Sequence, residues 1–460
     1  MNAKTTIIKK GITLFRNVAF FLAAASAITI TGCKDDDDDD DNTNTGPTGS
    51  TIEVIGDITA NVTWTANNKY ILKGFVYVKD GAVVTIEPGT IIKGEKSSKG
   101  TLIVERGAQL LAVGTAQKPI VFTSNEAAGS RAYGDWGGII ICGRAPINLP
   151  GGVGTVEGGT NALYGGTNPA DNSGKLQYVR IEFCGIAFQP NQEINGLTLG
   201  GVGSGTEISY VQISYSGDDS FEFFGGSVNA KNIVAFRGWD DDFDSDNGHS
   251  GKIQFAVALR DKDIADQSGS NGFESDNDAS GTTASPITKT IFSNVSVFGP
   301  LETSSTTVHT QFKRAAHLRR NTQTCIYNSV IAGFPTGLFI DGSLSETNAA
   351  ASDLQFRNNV IAGCTDPVLA SASFDILAWF DTPGWGNSIL ANSSDIQCGY
   401  PFNLTNPVFV PQASSPLLTG ADFTNSNLQG FFNAVTYKGA FGSTDWTDEW
   451  CNFDPQNTAY

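Results

Sequence analysis

The sequence predicts an all-β solenoid with long loops, on three observations. A phrase of aromatic and carboxylate beside small polar residues recurs as Asp219-Ser220-Phe221-Glu222, Asp241-Asp242-Phe243-Asp244 and Asn271-Gly272-Phe273-Glu274. Its phenylalanines fall 22 and 30 residues apart, the period of stacked coils with loops of varying length. Between the phrases run short apolar alternations, Val211-Gln212-Ile213, Ile233-Val234-Ala235-Phe236 and Ile253-Gln254-Phe255-Ala256-Val257, which have the period of a strand and not of a helix. The composition agrees: 52 glycines and 29 phenylalanines in 460 residues, 40% hydrophobic, supply turns and a large β core.

The chain begins with Lys4, Lys9, Lys10 and Arg16 ahead of an apolar run from Val18 to Ile30, too short to span a membrane, and residues 1–32 read as a signal peptide. The run ends in Ile30-Thr31-Gly32-Cys33, which resembles a bacterial lipobox and implies lipidation of Cys33. Lys34 and seven aspartates, Asp35 to Asp41, follow, so residues 33–50 form a self-repelling tether. That run resembles the export signal of Bacteroidota surface lipoproteins. It implies a membrane anchor through Cys33 and display on the outer face of the outer membrane. A net charge of −18 offers no basic groove, so nucleic acid is set aside as a partner. None of the other cysteines falls in a Cys-x-x-Cys pair, which argues against a zinc ribbon or redox dithiol. Cys142 and Cys184 lie in apolar strands and are expected to be buried, while Cys398 and Cys451 offer a disulfide.

Residues 51–460 read as one domain. Strands are expected at Tyr70 to Val78, Val83 to Glu87, Thr90 to Lys93, Leu102 to Glu105 and Gln109 to Val113, with Gly81, Pro88-Gly89, Gly107 and Gly114 as turns. This opening resembles the first coils of right-handed parallel β-helices, with residues 51–70 as the expected cap. With Gly134-Asp135-Trp136-Gly137-Gly138, Asn195-Gly196-Leu197-Thr198-Leu199-Gly200-Gly201, Phe236-Arg237-Gly238-Trp239-Asp240 and Gly439-Ala440-Phe441-Gly442, the chain resembles uncharacterised Bacteroidota surface lipoproteins with a pectin-lyase-like β-helix. The resemblance implies a right-handed parallel β-helix.

Residues 143–175 are rich in glycine, lack strand periodicity and are expected to leave the helix as a long loop. Later, Val330 and Val360 sit 30 residues apart in matching phrases, and Ser293, Asn328 and Asn358 align as a turn ladder. Residues 374–400 break the pattern, and Trp446 to Tyr460 are expected to close the last coil.

Coils in register would stack Glu222, Asp244 and Glu274 in one column about 4.8 Å apart, with Asp246 and Asp276 beside it. Asp218, Asp219, Trp239, Asp240, Asp241 and Asp242 would form an adjoining binding turn. Carboxylates so close repel unless a hard cation intervenes, which makes Ca²⁺ the expected ion and the two columns its ligands. The competing reading is a solvated acidic face. Lys313, His317 and Arg319 share one face of a strand and are the candidate bases for a lyase, which in pectate-lyase-like enzymes pairs Ca²⁺ with a lysine or arginine. The bland alternative is that they neutralise the carboxylates. Gly217-Asp218-Asp219 and Gly248-His249-Ser250 faintly resemble a polygalacturonase order, but serine replaces the glycine after histidine and the remaining elements are missing. Trp239, Trp379 and Trp385 would stack on sugars if exposed, although tryptophan more often completes a core. The sequence points to binding of an extracellular glycan or surface partner. A lyase or hydrolase on acidic glycans and an accessory subunit of a surface complex are the alternatives.

Overall fold

In the computed structural model, described over residues 49–460 except 190, 191 and 372, the chain winds into a right-handed parallel β-helix. The leader, Cys33 and the aspartate run lie outside the described residues. Three ladders of parallel strands form its faces. The first carries Val83–Ile86 and Gln109–Val113, then the leading halves of Gly174–Glu182, Glu207–Ser214, Asn229–Phe236, Lys252–Leu259 and Ile291–Phe298. The second continues through the trailing halves of those longer strands to Val330–Ala332 and Val360–Ala362. The third stacks Thr101–Val104, Gly138–Cys142, Leu197–Gly200, Phe221–Phe224, Phe243–Asp246, Phe273–Ser275, Arg314–Leu318, Thr336–Ile340 and Asp366–Ala370.

Alternation along each strand sends every second side chain inward, where like residues stack on like from coil to coil. Phe221 lies 5.8 Å from Phe243, which lies 5.7 Å from Phe273, all fully buried. Val330 pairs with Val360 as the 30-residue spacing predicts.

A single residue turns the chain from the first face to the second, and it adopts the left-handed conformation in coil after coil: Tyr178, Tyr210, Asn232, Phe255, Asn294, Asn328 and Asn358, with φ between 51° and 59°. Asparagine tolerates this region best among residues with a Cβ, which accounts for four of the seven. The ladder therefore runs through Asn294; Ser293 pairs with Tyr327 inside the strand, one residue off the predicted alignment.

Three expectations at the ends are corrected. Residues 51–70 are not a separate cap: Thr51–Ile58 and Val62–Trp64 already pair in parallel with the next coil, and Trp64 stacks on Tyr70 at 5.1 Å. The last coil is closed by the helix Ile376–Phe380 and the residues after it, because Trp379, Phe380 and Trp385 pack into the main core. The tail instead runs back along the asparagine corner. Asn328 exchanges hydrogen bonds with the backbone of Asp422, Gln254 with that of Asn433 and Gln212 with that of Asn452. Trp450 meets Tyr178 and Tyr210 edge-on, and the Tyr460 hydroxyl donates to Glu182. The amide side chains projecting from the corner present donor and acceptor together, so an extended backbone pairs with them as with a strand edge. The same packing leaves Cys398 and Cys451 as thiols, together with Cys142, Cys184, Cys325 and Cys364. Cys142 and Cys184 are buried as expected. Among the described residues no helix is long and apolar enough to cross a membrane.

Candidate functional site

The third face carries the carboxylates. Phenylalanine at the inward positions of Phe221–Phe224, Phe243–Asp246 and Phe273–Ser275 forces the next residue outward, and the register aligns Thr198, Glu222, Asp244, Glu274 and His317 in one column. A second column aligns Phe224 with Asp246; Asp276, whose N–H donates to the Ser245 carbonyl at 3.1 Å, continues it. The turn before this face repeats as well. The Asp219 carboxylate accepts from the backbone N–H of Asp241 at 2.8 Å, and the Asp241 carboxylate accepts from that of Asn271. Each acid thus clamps the next coil. Asn195 and Asn271 hold the ends, donating through their amides to Glu222 and Glu274.

The downstream end is neutralised internally. Arg319 bridges Glu274 and Asp276, with 2.7 Å from its Nε to Asp276 Oδ1, and Arg320 adds 2.7 Å to Asp276 Oδ2. His317 lies between Asp341, at 3.0 Å, and Glu274, at 3.4 Å, and stacks on Phe339. Asp242 turns inward and pairs with Arg260 at 2.9 Å, both side chains fully buried. Lys313 lies apart, its Nζ donating to the Thr310 carbonyl at 3.0 Å. Of the three candidate bases, His317 and Arg319 join the column and Lys313 does not.

The upstream end is different. Among the described residues, Asp218, Asp219, Glu222, Asp240 and Asp244 are in no ion pair, yet oxygens of Asp218, Asp219 and Asp240 lie within 4.8 Å of one another, as do those of Asp219, Glu222 and Asp244. At that separation each ionised pair repels by roughly 3 kcal/mol at an effective dielectric of about 20. Burial first, and the neighbouring carboxylates second, push Asp218, Asp219, Glu222, Asp241 and Asp244 well above the usual carboxylate range. Burial takes Asp240 and Asp246 up to about 7. For Glu274 burial acts upward, but the His317 and Arg319 contacts outweigh it and hold the group below its ordinary value. Asp244 Oδ1 and Asp240 Oδ1 are buried without a hydrogen-bond partner. Hard anionic oxygens in this number, two of them unsatisfied, fit a Ca²⁺ ion.

The insert after Gly138–Cys142 leaves the helix as predicted and forms a hairpin of Gly154–Thr155 and Leu163–Tyr164. It returns to the third face, where Tyr164 stacks on Phe224 at 5.9 Å. It also brings Glu157 beside the upstream acids; burial and then Glu193 raise Glu157 to about 7. Sequence reasoning missed Glu157 and Glu193 because neither belongs to a repeat. It also missed Asn195 and Asn271 as end partners, although Asn271 heads the third copy of the phrase. Trp239 is 41% exposed beside this turn, its indole N–H donating to the Ala265 carbonyl, whereas Trp379 and Trp385 are buried. His249 is buried between Thr290 and the Val228 carbonyl and stacks on Phe223, so both ring nitrogens are engaged by partners other than Asp218.

The family model described as a pectate-lyase-like beta-helix domain matches residues 56–381. The chain belongs to that family. No curated protein matches it. Among solved structures, the crystal structure of the Dettilon tailspike protein is similar at 9% identity, covering 74% of this chain and 62% of that one with a TM-score of 0.22, a likeness too loose to carry an inference. The chain spans less than two thirds of that protein. Membership of the pectate-lyase-like family accounts for the parallel coils; the corner ladder and the carboxylate column rest on this chain's own residues.

Proposed function

We propose that this protein is a surface lipoprotein, anchored through Cys33, that binds an extracellular glycan or surface partner on the third face of its β-helix with Ca²⁺ at the upstream acids. One observation carries the reading: Asp219 and Glu222 from one coil and Asp244 from the next bring carboxylate oxygens within 4.8 Å of one another. These residues would hold the ion, with Asp218 and Asp240 at the adjoining turn. A bound ion would supply a positive centre for the carboxylate of an acidic sugar, and the exposed Trp239 beside it offers a flat apolar face to a pyranose ring. The lipobox-like Ile30-Thr31-Gly32-Cys33 and the acidic tether support the anchor.

A lyase finds less support. Burial opposes the charged form of Arg319, yet Glu274 and Asp276 outweigh it and raise the guanidinium above its ordinary value. An arginine held in its charged form is poorly placed to take a proton.

Calorimetric titration of the purified protein with Ca²⁺ tests the reading. Saturable binding is expected, reduced at least about tenfold in Glu222→Gln and Asp244→Asn. Absence of binding in the unaltered protein would leave the upstream acids as a buried cluster relieved by protonation, and the calcium reading would be wrong. Protease added to intact cells is expected to cut the chain if it is displayed.

A further inference from the structure

At the far end of the helix, where the second face turns to the third, lies a cavity of about 840 Å³ that shares no residue with the carboxylate face. We propose that it binds a neutral oligosaccharide, as a second site independent of the first and of any metal.

The size suits a ligand of a few sugar rings. Cys364, Ile396, Cys398 and Phe402 contribute apolar surface to its wall. Tyr400, 73% exposed, offers a ring of the kind that stacks on the apolar face of a pyranose. Two lining amides are fixed through their own oxygens. Asn403 Oδ1 accepts from the backbone N–H groups of Thr405 at 2.9 Å and Asn406 at 3.0 Å, and Gln397 Oε1 accepts from the Ser414 hydroxyl at 2.6 Å. Each amide nitrogen keeps donors suited to sugar hydroxyl oxygens, already oriented and so with little ordering cost. Glu302 is the single charged residue of the lining. An anionic ligand finds no counter-charge there, and a purely apolar one would strand the amides. A neutral polyol satisfies both the aromatic surface and the donors.

The test is calorimetry with the purified protein in a calcium chelator, using neutral gluco-, galacto-, manno- and xylo-oligosaccharides as probes. At least one is expected to bind, with affinity falling at least about tenfold in Tyr400→Ala and in Ser394→Trp, which fills the cavity, while melting temperature stays near that of the unaltered protein. If none binds, or if binding survives both substitutions, the proposal is wrong. The chelator separates this outcome from failure of the calcium reading.

Discussion

Asp244 illustrates how one side chain is set by its neighbours above and below. Glu222 and Glu274 flank it in register, so its charge is opposed from both sides while burial removes the solvent that would screen it. The pH dependence follows in sign. A carboxylate whose folded value lies above its unfolded value binds extra protons when folded, so stability falls as pH rises between the two. With Asp240 and Asp246 near 7 and Asp242 near 6, the metal-free protein is expected to melt at a lower temperature at pH 8 than at pH 5. Added Ca²⁺ is expected to raise the melting temperature more at pH 8 than at pH 5, because protons and the ion compete for the same oxygens. Scanning calorimetry at the two pH values checks both. By the same logic Asp244→Asn is expected to stabilise the calcium-free protein by about 1–3 kcal/mol through relief of repulsion. Arg319→Ala should cost about 3 kcal/mol, since it removes the guanidinium that bridges two buried carboxylates and leaves Glu274 with only His317 and Asp276 with only Arg320. Denaturant melts that show no difference between these two variants would contradict the division of the column into an internally neutralised end and a repulsive one.

At the scale of the element, the corner between the first two faces joins local conformation to long-range packing. Asn328 holds φ at 51° and also bonds the tail at Asp422 through both ends of its amide. Asn328→Gly keeps access to that conformation and loses the amide contacts; Asn328→Ala loses the contacts and adds left-handed strain of about 1–2 kcal/mol. The expected order of melting temperatures is therefore asparagine, glycine, alanine. Alanine above glycine would mean that the left-handed corner is not what the residue provides. Matching phrases around Val330 and Val360 made this ladder legible in the sequence, because each coil repeats the same corner. Its one-residue misalignment at Ser293 arose because the sequence matches Val295 with Val330, whereas the strand Ile291–Phe298 places Ser296 opposite Val330 and so moves the corner to Asn294.

For the molecule as a whole, the ends and the edge required the fold. The end of the tail straps coils far from it in sequence, Asn452 bonding Gln212 and Tyr460 bonding Glu182, so removing residues 446–460 is expected to lower the melting temperature. The free thiols make a separate prediction: after denaturation without reductant, Cys142, Cys184, Cys325, Cys364, Cys398 and Cys451 are all expected to react with a thiol reagent. A shortfall of two would mean a disulfide.

Repetition explains what the sequence by itself determined. When each coil solves the same packing problem, Phe221, Phe243 and Phe273 mark both the fold and the outward column of Glu222, Asp244 and Glu274 beside them. What lies outside the repeat carries no such mark. Only the tertiary structure brought Glu157 and Glu193 to the upstream acids, gave Glu274 and Asp276 to Arg319, turned Asp242 inward to Arg260, and laid the tail along the corner rather than over the last coil. A loop's path depends on which distant surface rewards its burial, and no local periodicity encodes that.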